Sequence, residues 1–553
     1  MSVKPDKWDL EVDLVAVGSG LGAISAAIIT HDLGGTTVIL EKAPKLGGVS
    51  AYSGGQCFLH NNHKMKEAGV PDSDEAGRAY MKFLTAGTGF YVPEMLDKLL
   101  NTAPGVFEYF EKKAGVKWKY IKDFPDYYFP HGPGTVKEGR YLETELFDGN
   151  TLGEWQHKTY LSPIMLSGST CEDFLNWGGT CGILKWDFQQ IANNTGKDLR
   201  GFGPGMMGYF VKAAVVDRKI PAHVETPVRE LIVENKTVIG VRAERKGKDF
   251  FVKAKKGVML AIGGYDHNEE LARYYEDLPE WKSMCQPYLH GDNLIMGGEI
   301  GAAIASVPPG NLGLFFGFNI PGEEHDGKPL YRAANQGGCP HALWVNRQGA
   351  RFCDESFYKD YQPRTRSWNG LKNALANYPP YFIFDQNYRD KYSVGSYMPG
   401  DNIPETVAVK ADTPALLAKK LGIDARSFEE TIARFNKFCE DGVDRDFGRG
   451  EYHWAQKMSG DPNFKNPNMG PINKAPYYGM KLIPVNCGIN AGGLKTNLFA
   501  QVMHVRGNPI KGLYAAGNSA AALDTGAGYQ SGVANTRGLV WGYIAARHAM
   551  KGE

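Results

Sequence analysis

The chain has almost no net charge: 62 Lys and Arg stand against 61 Asp and Glu, leaving +1 over 553 residues. Nothing in that balance draws the protein over long range to nucleic acid or to an anionic membrane. No stretch approaches about twenty uninterrupted apolar residues, and Met1-Ser-Val-Lys-Pro-Asp-Lys-Trp-Asp9 has no apolar core of signal-peptide length. These absences predict a cytoplasmic protein with no integral membrane segment. No Cys-x-x-Cys pair occurs among Cys57, Cys171, Cys181, Cys285, Cys339, Cys353, Cys439 and Cys487. Neither a zinc knot nor an iron–sulfur site is therefore expected, and the thiols are read as reduced and mostly buried. Internal repeats and low-complexity tracts are missing too. So is a c-type haem motif, which implies that any electrons leave through a separate partner.

What is present describes an ordinary globular chain, 42% hydrophobic and 22% charged, long enough for two or more domains and a buried cofactor. Val12-Asp-Leu-Val-Ala-Val-Gly-Ser-Gly-Leu-Gly-Ala23 joins an apolar run to a glycine-rich turn and a helical pattern. Gly18 permits the tight turn, Gly20 lets backbone N–H groups approach a pyrophosphate, and Gly22 and Ala23 are small where helix meets strand. A second strand, Thr37-Val-Ile-Leu40, ends at Glu41 and Lys42, where the carboxylate can accept hydrogen bonds from an adenosine ribose. Leu46-Gly-Gly-Val-Ser-Ala-Tyr-Ser-Gly-Gly55 then offers Gly47, Gly48, Ser50, Ser53, Gly54 and Gly55 to wrap a cofactor.

Residues 60–110 are helical in pattern. Phe124-Pro-Asp-Tyr-Tyr-Phe-Pro-His-Gly-Pro-Gly134 is a loop whose aromatics either anchor it or wall a pocket. Residues 222–253 read as a small antiparallel sheet, within which Val228 is a candidate cofactor contact. Gly257 to Asn268 is a buried strand ending in Gly263 and Gly264, a second place where backbone can meet the cofactor. Gly512-Leu-Tyr-Ala-Ala-Gly-Asn518 repeats that pattern at Gly517 and Asn518. Thr525-Gly-Ala-Gly-Tyr-Gln-Ser-Gly532 leads into a final helix from Val533 to about Met550, whose positive end would favour an anionic reduced flavin. The predicted fold is α/β: a Rossmann-like dinucleotide-binding domain with a small antiparallel β insert, plus an inserted α+β catalytic cap domain. Expected boundaries are 9–285 and 461–553 for the dinucleotide-binding domain and 286–460 for the cap.

The Gly-Gly-x-Ser-x-x-Ser-Gly-Gly run resembles the flavin-binding loop of the fumarate reductase and succinate dehydrogenase flavoprotein superfamily. Gly257 to Asn268, Gly291 to Gly297, Val345 to Glu355 and Gly512 to Gly532 extend the likeness over nearly the whole chain. The resemblance implies FAD and makes the Rossmann-like domain a GR2-type FAD-binding domain, with Ser531 and Val533 joining the cofactor residues. Carboxylate-reducing members carry an arginine in the last glycine-rich loop and a histidine in a His-His-Thr-Met-Gly-Gly run. Here Tyr529 and Cys487-Gly-Ile-Asn-Ala-Gly-Gly493 stand in those places. A buried carboxylate without a cation is costly, whereas a tyrosine hydroxyl can polarise a neutral carbonyl. The chain is thus more similar to the 3-ketosteroid and cyclic ketone dehydrogenases, in which a tyrosine and a glycine N–H hold the carbonyl.

Tyr529 and Gly532 look like that pair. Their spacing leaves 1,2- and 4,5-desaturation both open. The resemblance implies loss of an α proton to a base and of a β hydride to flavin N5. Tyr127 and Tyr128 are candidate bases, and Tyr331 is the nearest candidate from the cap, ahead of Tyr358 and Tyr361. Leu312-Gly-Leu-Phe-Phe-Gly-Phe318 could line an apolar substrate cavity or form a buried strand. The expected partners are a small hydrophobic ketone and an external electron acceptor, quinone or redox protein. Such lipophilic partners keep peripheral membrane contact open. The competing reading is a reductase of unsaturated carboxylates anchored by Arg364, Arg366 or Arg332; a third is a flavoprotein with little turnover.

Overall fold

The computed structural model describes residues 4–87, 89–309 and 314–553. The apolar run at the start forms a strand, Leu10–Val17, flanked in parallel by Thr37–Leu40 and Lys248–Leu260. Pro509–Ala515 pairs in parallel with Lys248–Leu260 on its other side. Register places Val17 opposite both Leu40 and Leu260, and Leu260 opposite Ala515. Four strands therefore end at one edge of an eight-stranded sheet, and the glycine-rich turns at 18–22, 263–264 and 517 all follow those ends. The carboxyl edge of such a sheet is where ligands bind.

The helix Leu21–Asp32 is buried along nearly its whole length against the C-terminal helix Val533–Lys551. Small residues bring the two close. A Cβ on Gly542 would run into the Gly22 carbonyl, and Gly538 faces Leu21 and Gly22. The chain thereby folds its last helix onto its first.

Val228–Glu234, Thr237–Arg245 and Lys248–Leu260 form the antiparallel insert, as the alternating pattern predicts. One detail differs. Phe250-Phe-Val-Lys253 and Gly257-Val-Met-Leu260 belong to a single strand, so the insert grows directly out of the nucleotide sheet.

Above the carboxyl edge, Leu314–His325 and Lys328–Ala333 form a hairpin joined by Ile483–Asn486 and Lys282–Ser283. A second sheet holds Ala342–Val345, Tyr381–Asp385, Tyr477–Lys481 and Val409–Ala411. Phe428, Ile432, Phe435 and Phe438, on one face of the helix Ala425–Asp441, cover it. Residues 477–486 pair with these upper strands, so the chain rejoins the nucleotide sheet only at Gln501–Met503. Leu312 and Gly313 lie outside the described residues.

The reading of every cysteine as a free thiol is corrected at one pair. Cys181 and Cys339 are joined in a disulfide across 158 residues of sequence, a separation that no local spacing reveals. It ties the short helix Gly179–Lys185 to the turn after Asn335–Gly338. Cys57, Cys171, Cys285 and Cys353 are buried free thiols. No helix among the described residues is long and apolar enough to cross a membrane.

Candidate active site

A cavity of about 580 Å³ runs from the carboxyl edge of the nucleotide sheet up between it and the hairpin. Its lower end is lined by Gly18, Gly20, Gly22, Glu41, Lys42, Gly48, Ser50, Ser53, Gly54, Val228, Gly263, Gly264, Gly517 and Asn518. The cradle fits an elongated dinucleotide. Gly18 has φ +97°, and a Cβ there would overlap the Ala261 carbonyl. Around Gly517, at φ +60°, a Cβ would meet nothing within 4 Å. The helix Leu21–Asp32 begins at Gly20 with no side-chain cap; Leu21 N donates to Ser50 Oγ at a long 3.4 Å, and the positive end of the helix faces the cavity where a phosphate can bind.

Glu41 is buried, and burial pushes its carboxyl above the usual range, against backbone N–H and Ser19 hydroxyl hydrogen bonds that favour the anion. Ser19 Oγ donates to Oε2 at 2.5 Å and Ala43 N to Oε1 at 2.8 Å, which fixes both oxygens at the end of the second strand. Lys42 Nζ pairs with Asp292 at 2.8 Å beside it. Ala23, Gly47, Gly55 and Val533 do not line the cavity. Ala23 is packed inside its helix, Gly47 N donates to Ser19 Oγ at 3.0 Å, Gly55 abuts the Phe202 carbonyl, and Val533 sits in the cluster around Phe58. Their small size or packing shapes the cradle from behind.

Toward the upper end the lining turns apolar, with Phe124, Met165, Leu166, Phe174, Trp186 and Phe315. Tyr529, Ser531 and Gly532 enter there, from the loop that ends where the C-terminal helix begins. Gly532 is the N-cap of that helix, at φ +86° and without a side-chain cap. Burial holds the Tyr529 hydroxyl well above its ordinary pKa, so it is a neutral donor.

Tyr127 is fully buried and does not line the cavity. Its Oη accepts from Ser531 N at 2.9 Å and lies 2.6 Å from Ser531 Oγ, while the Tyr358 hydroxyl donates to it. With both lone pairs so engaged, the Tyr127 proton points to Ser531 Oγ, and the Ser531 proton is left to point elsewhere. Burial again raises the Tyr127 pKa, opposed by its hydrogen bonds to Ser531 and Tyr358. One turn of loop away, Asp126 accepts from Arg140 at 2.7 Å, and Gln530 accepts from the Tyr80 hydroxyl. Gln530 Nε2 donates to Asp126 Oδ1 at 3.4 Å, which joins the segments around Tyr127 and Tyr529.

Two of the predicted catalytic tyrosines stand elsewhere. Tyr128 packs edge-on against Phe83, Phe357 and Tyr452, away from the cavity, because its neighbour Tyr127 takes the inward direction. Tyr331 lies on the hairpin strand opposite Asn319 and does not line the cavity; the adjacent Arg332 does. The cap instead contributes Tyr358, from the helix Tyr358–Thr365, with its ring 6.2 Å from that of Tyr529. Of the three arginines considered as carboxylate anchors, Arg364 pairs with Asp360 and Arg366 donates to the Glu276 carbonyl; neither lines the cavity.

One buried cation went unread in the sequence. Lys359 is buried, and burial alone brings its ammonium down to a pKa of about 7; its Nζ lies 6.0 Å from the centre of the Tyr529 ring. Cys487 lines the cavity, with its thiol pushed up to about 12 by burial. A lysine inside a Tyr-rich helix carries no signal of its own, since most lysines are solvated.

The profile of the family described as FAD binding domain matches residues 13–534. A 3-oxosteroid 1-dehydrogenase of Mycobacterium tuberculosis is 32% identical over 97% of this chain and 98% of its own. A 4-oxocyclohexanecarboxylate 2-dehydrogenase of Sinomonas cyclohexanicum is 31% identical, covering 97% of this chain and 92% of its own. Among solved structures, the 3-ketosteroid delta1-dehydrogenase of Sterolibacterium denitrificans in complex with 1,4-androstadiene-3,17-dione superposes with a TM-score of 0.86. It is 28% identical, covering 98% of this chain and all of that one.

Proposed function

Since the chain belongs to the FAD binding domain family, within its branch of 3-ketosteroid and cyclic ketone dehydrogenases, we propose that it desaturates a 3-ketosteroid beside the carbonyl. FAD, when bound along the glycine cradle, supplies the acceptor for the β hydride. We assign the 1,2-bond, in keeping with the activity named for the 3-oxosteroid 1-dehydrogenase and the 3-ketosteroid delta1-dehydrogenase that it resembles, rather than the 4,5-bond that the Tyr-Gln-Ser-Gly spacing left open.

The observation that carries this reading is that Tyr529 and Gly532, the N-cap of the final helix, both line the apolar end of the cavity, where the Tyr529 hydroxyl and the Gly532 N–H can serve as donors. Both are neutral donors. Aimed at one oxygen they stabilise enolate character, and the dipole of the helix begun at Gly532 adds to the effect. Loss of the α proton is assigned to Ser531, which lines the cavity and connects through Tyr127 to Tyr358. In the neutral chain the hydrogen bonds run from Tyr358 through Tyr127 to Ser531, so proton uptake needs them reversed: with Tyr358 as the phenolate, Ser531 takes the α proton as it passes its own to Tyr127, and Tyr127 passes its own to Tyr358, which ends neutral. Tyr128 and Tyr331 have no part in this assignment.

Residues 9–281 and 501–553 form the FAD-binding domain in this reading, and the paired upper strands belong to the cap. The lower, polar half of the cavity takes the cofactor and the upper, apolar half the rings. Electrons then pass to an external acceptor.

Anaerobic mixing with a panel of 3-ketosteroids, cyclohexanone and succinate, followed by flavin absorbance, tests the assignment. Bleaching by a 3-ketosteroid, with a product desaturated at the 1,2-bond, is the expected result. Inertness to every ketone, with reoxidation of the reduced protein by fumarate, would replace it with the carboxylate reductase.

A further inference from the structure

At the end of the cavity beyond the apolar wall stands one arginine. Arg332 lines it together with Asn335, Gln336, Ser393 and Gly395. Glu323 holds the guanidinium from one side, accepting from Nε at 2.9 Å and Nη2 at 2.8 Å, and is itself held by the Ser396 hydroxyl. Among the described residues, Nη1 has no hydrogen-bond partner. The two carboxylates that line the cavity, Glu41 and Asp292, belong to its nucleotide end. A guanidinium fixed by one carboxylate, with an edge left open, is preorganised to receive a second anion.

Its distance from the carbonyl site bears on what that anion can belong to. The Phe315 ring lies tilted, 5.4 Å from that of Tyr358, which is 6.2 Å from that of Tyr529. Arg332 pairs with Phe318, three residues farther along the same strand, a further rise of about 10 Å. These steps bound the separation from above, and a fused polycycle with a short side chain is long enough to span it.

We propose that Arg332 recognises a carboxylate on the substrate at the end remote from its ketone, so that the preferred substrate is a 3-ketosteroid whose side chain ends in an acid. This rests on the ketone-dehydrogenase reading above and narrows its substrate. Ser393 and the Gln336 amide complete the pocket as neutral donors. Glu323 acts as a positioning residue that sets the strength of the grip: it orients Arg332 and competes with the substrate for it.

The test compares 3-oxochol-4-en-24-oic acid with its methyl ester, in wild type and in the Arg332→Gln, Arg332→Lys and Glu323→Gln proteins. Retention of the oxidised flavin spectrum serves as the check of folding. Wild type is expected to prefer the acid in kcat/KM. Arg332→Gln should lower the acid-to-ester ratio at least tenfold, chiefly through KM, with partial recovery in Arg332→Lys. Glu323→Gln should move the ratio the opposite way, which a merely structural role would not do. Turnover of acid and ester at equal efficiency, with a ratio untouched by Arg332→Gln, overturns the proposal and leaves the dehydrogenase reading standing. Failure of both ketones to bleach the flavin overturns the two together.

Discussion

Tyr529 and Ser531 are two residues apart and do different work in the proposed reaction, and substitution should separate them. Tyr529→Phe removes one of two donors to the carbonyl oxygen and is expected to slow flavin reduction by roughly 10²–10³. Ser531→Ala and Tyr127→Phe each cut the proton path, so the primary isotope effect on the α hydrogen should grow in both while steroid affinity holds. Stopped-flow flavin reduction with α-deuterated substrate measures this. Lys359 gives a prediction of a different kind. Its folded pKa of about 7 lies below the ordinary value for an unfolded lysine, so burial costs stability wherever the unfolded chain keeps the proton. The cost is fully present below pH 7, shrinks as pH rises, and vanishes above about 10.5. Lys359→Met should therefore raise the melting temperature at neutral pH, by the equivalent of on the order of 4 kcal/mol, with the gain fading toward pH 10. An equal gain at pH 10 would show that packing, not charge burial, is responsible.

Elements explain why the cofactor half of the site is legible in sequence and the catalytic half much less so. A phosphate cradle is made of consecutive backbone groups at a strand end, and the constraint on each glycine is local. Gly18 and Gly263 are recognisable because their positive φ excludes most side chains. Gly18→Ala should accordingly abolish FAD retention on purification, since the added methyl meets the Ala261 carbonyl with no side chain free to yield. The relay, by contrast, joins Tyr127 to Ser531 across 404 residues and to Tyr358 across 231. Among the Tyr-rich segments of the cap, periodicity offers no way to tell the inward tyrosine from its neighbours. Hence Tyr331 stood first in the sequence reading and Tyr358, which makes the contact, stood second. The same holds for Cys181 and Cys339, whose pairing depends on where the helix Gly179–Lys185 lands.

At the scale of the whole molecule, the site exists only where two bodies of structure face each other. The nucleotide sheet supplies the glycine edges, Tyr529 and Gly532; the upper strands and helix supply Tyr358, Phe315 and Arg332. The hydrogen bond of 2.7 Å between Tyr52 and His325 ties the cofactor loop to the hairpin that carries Arg332. Tyr52→Phe should leave FAD affinity nearly unchanged and weaken steroid binding several-fold, as equilibrium titration of the flavin spectrum would report.

The packing of the last helix on the first has a consequence for how the protein comes into being. Leu21 and Gly22 open the helix that faces a phosphate, yet their neighbours Gly538 and Gly542 are separated from them by more than five hundred residues. During synthesis the ribosome holds that closing segment back until the end, so the growing chain carries an unfinished vitamin-derived pocket throughout. Supply of FAD then matters after release rather than during elongation, and cells starved of riboflavin should accumulate full-length apoprotein rather than stalled or truncated chains.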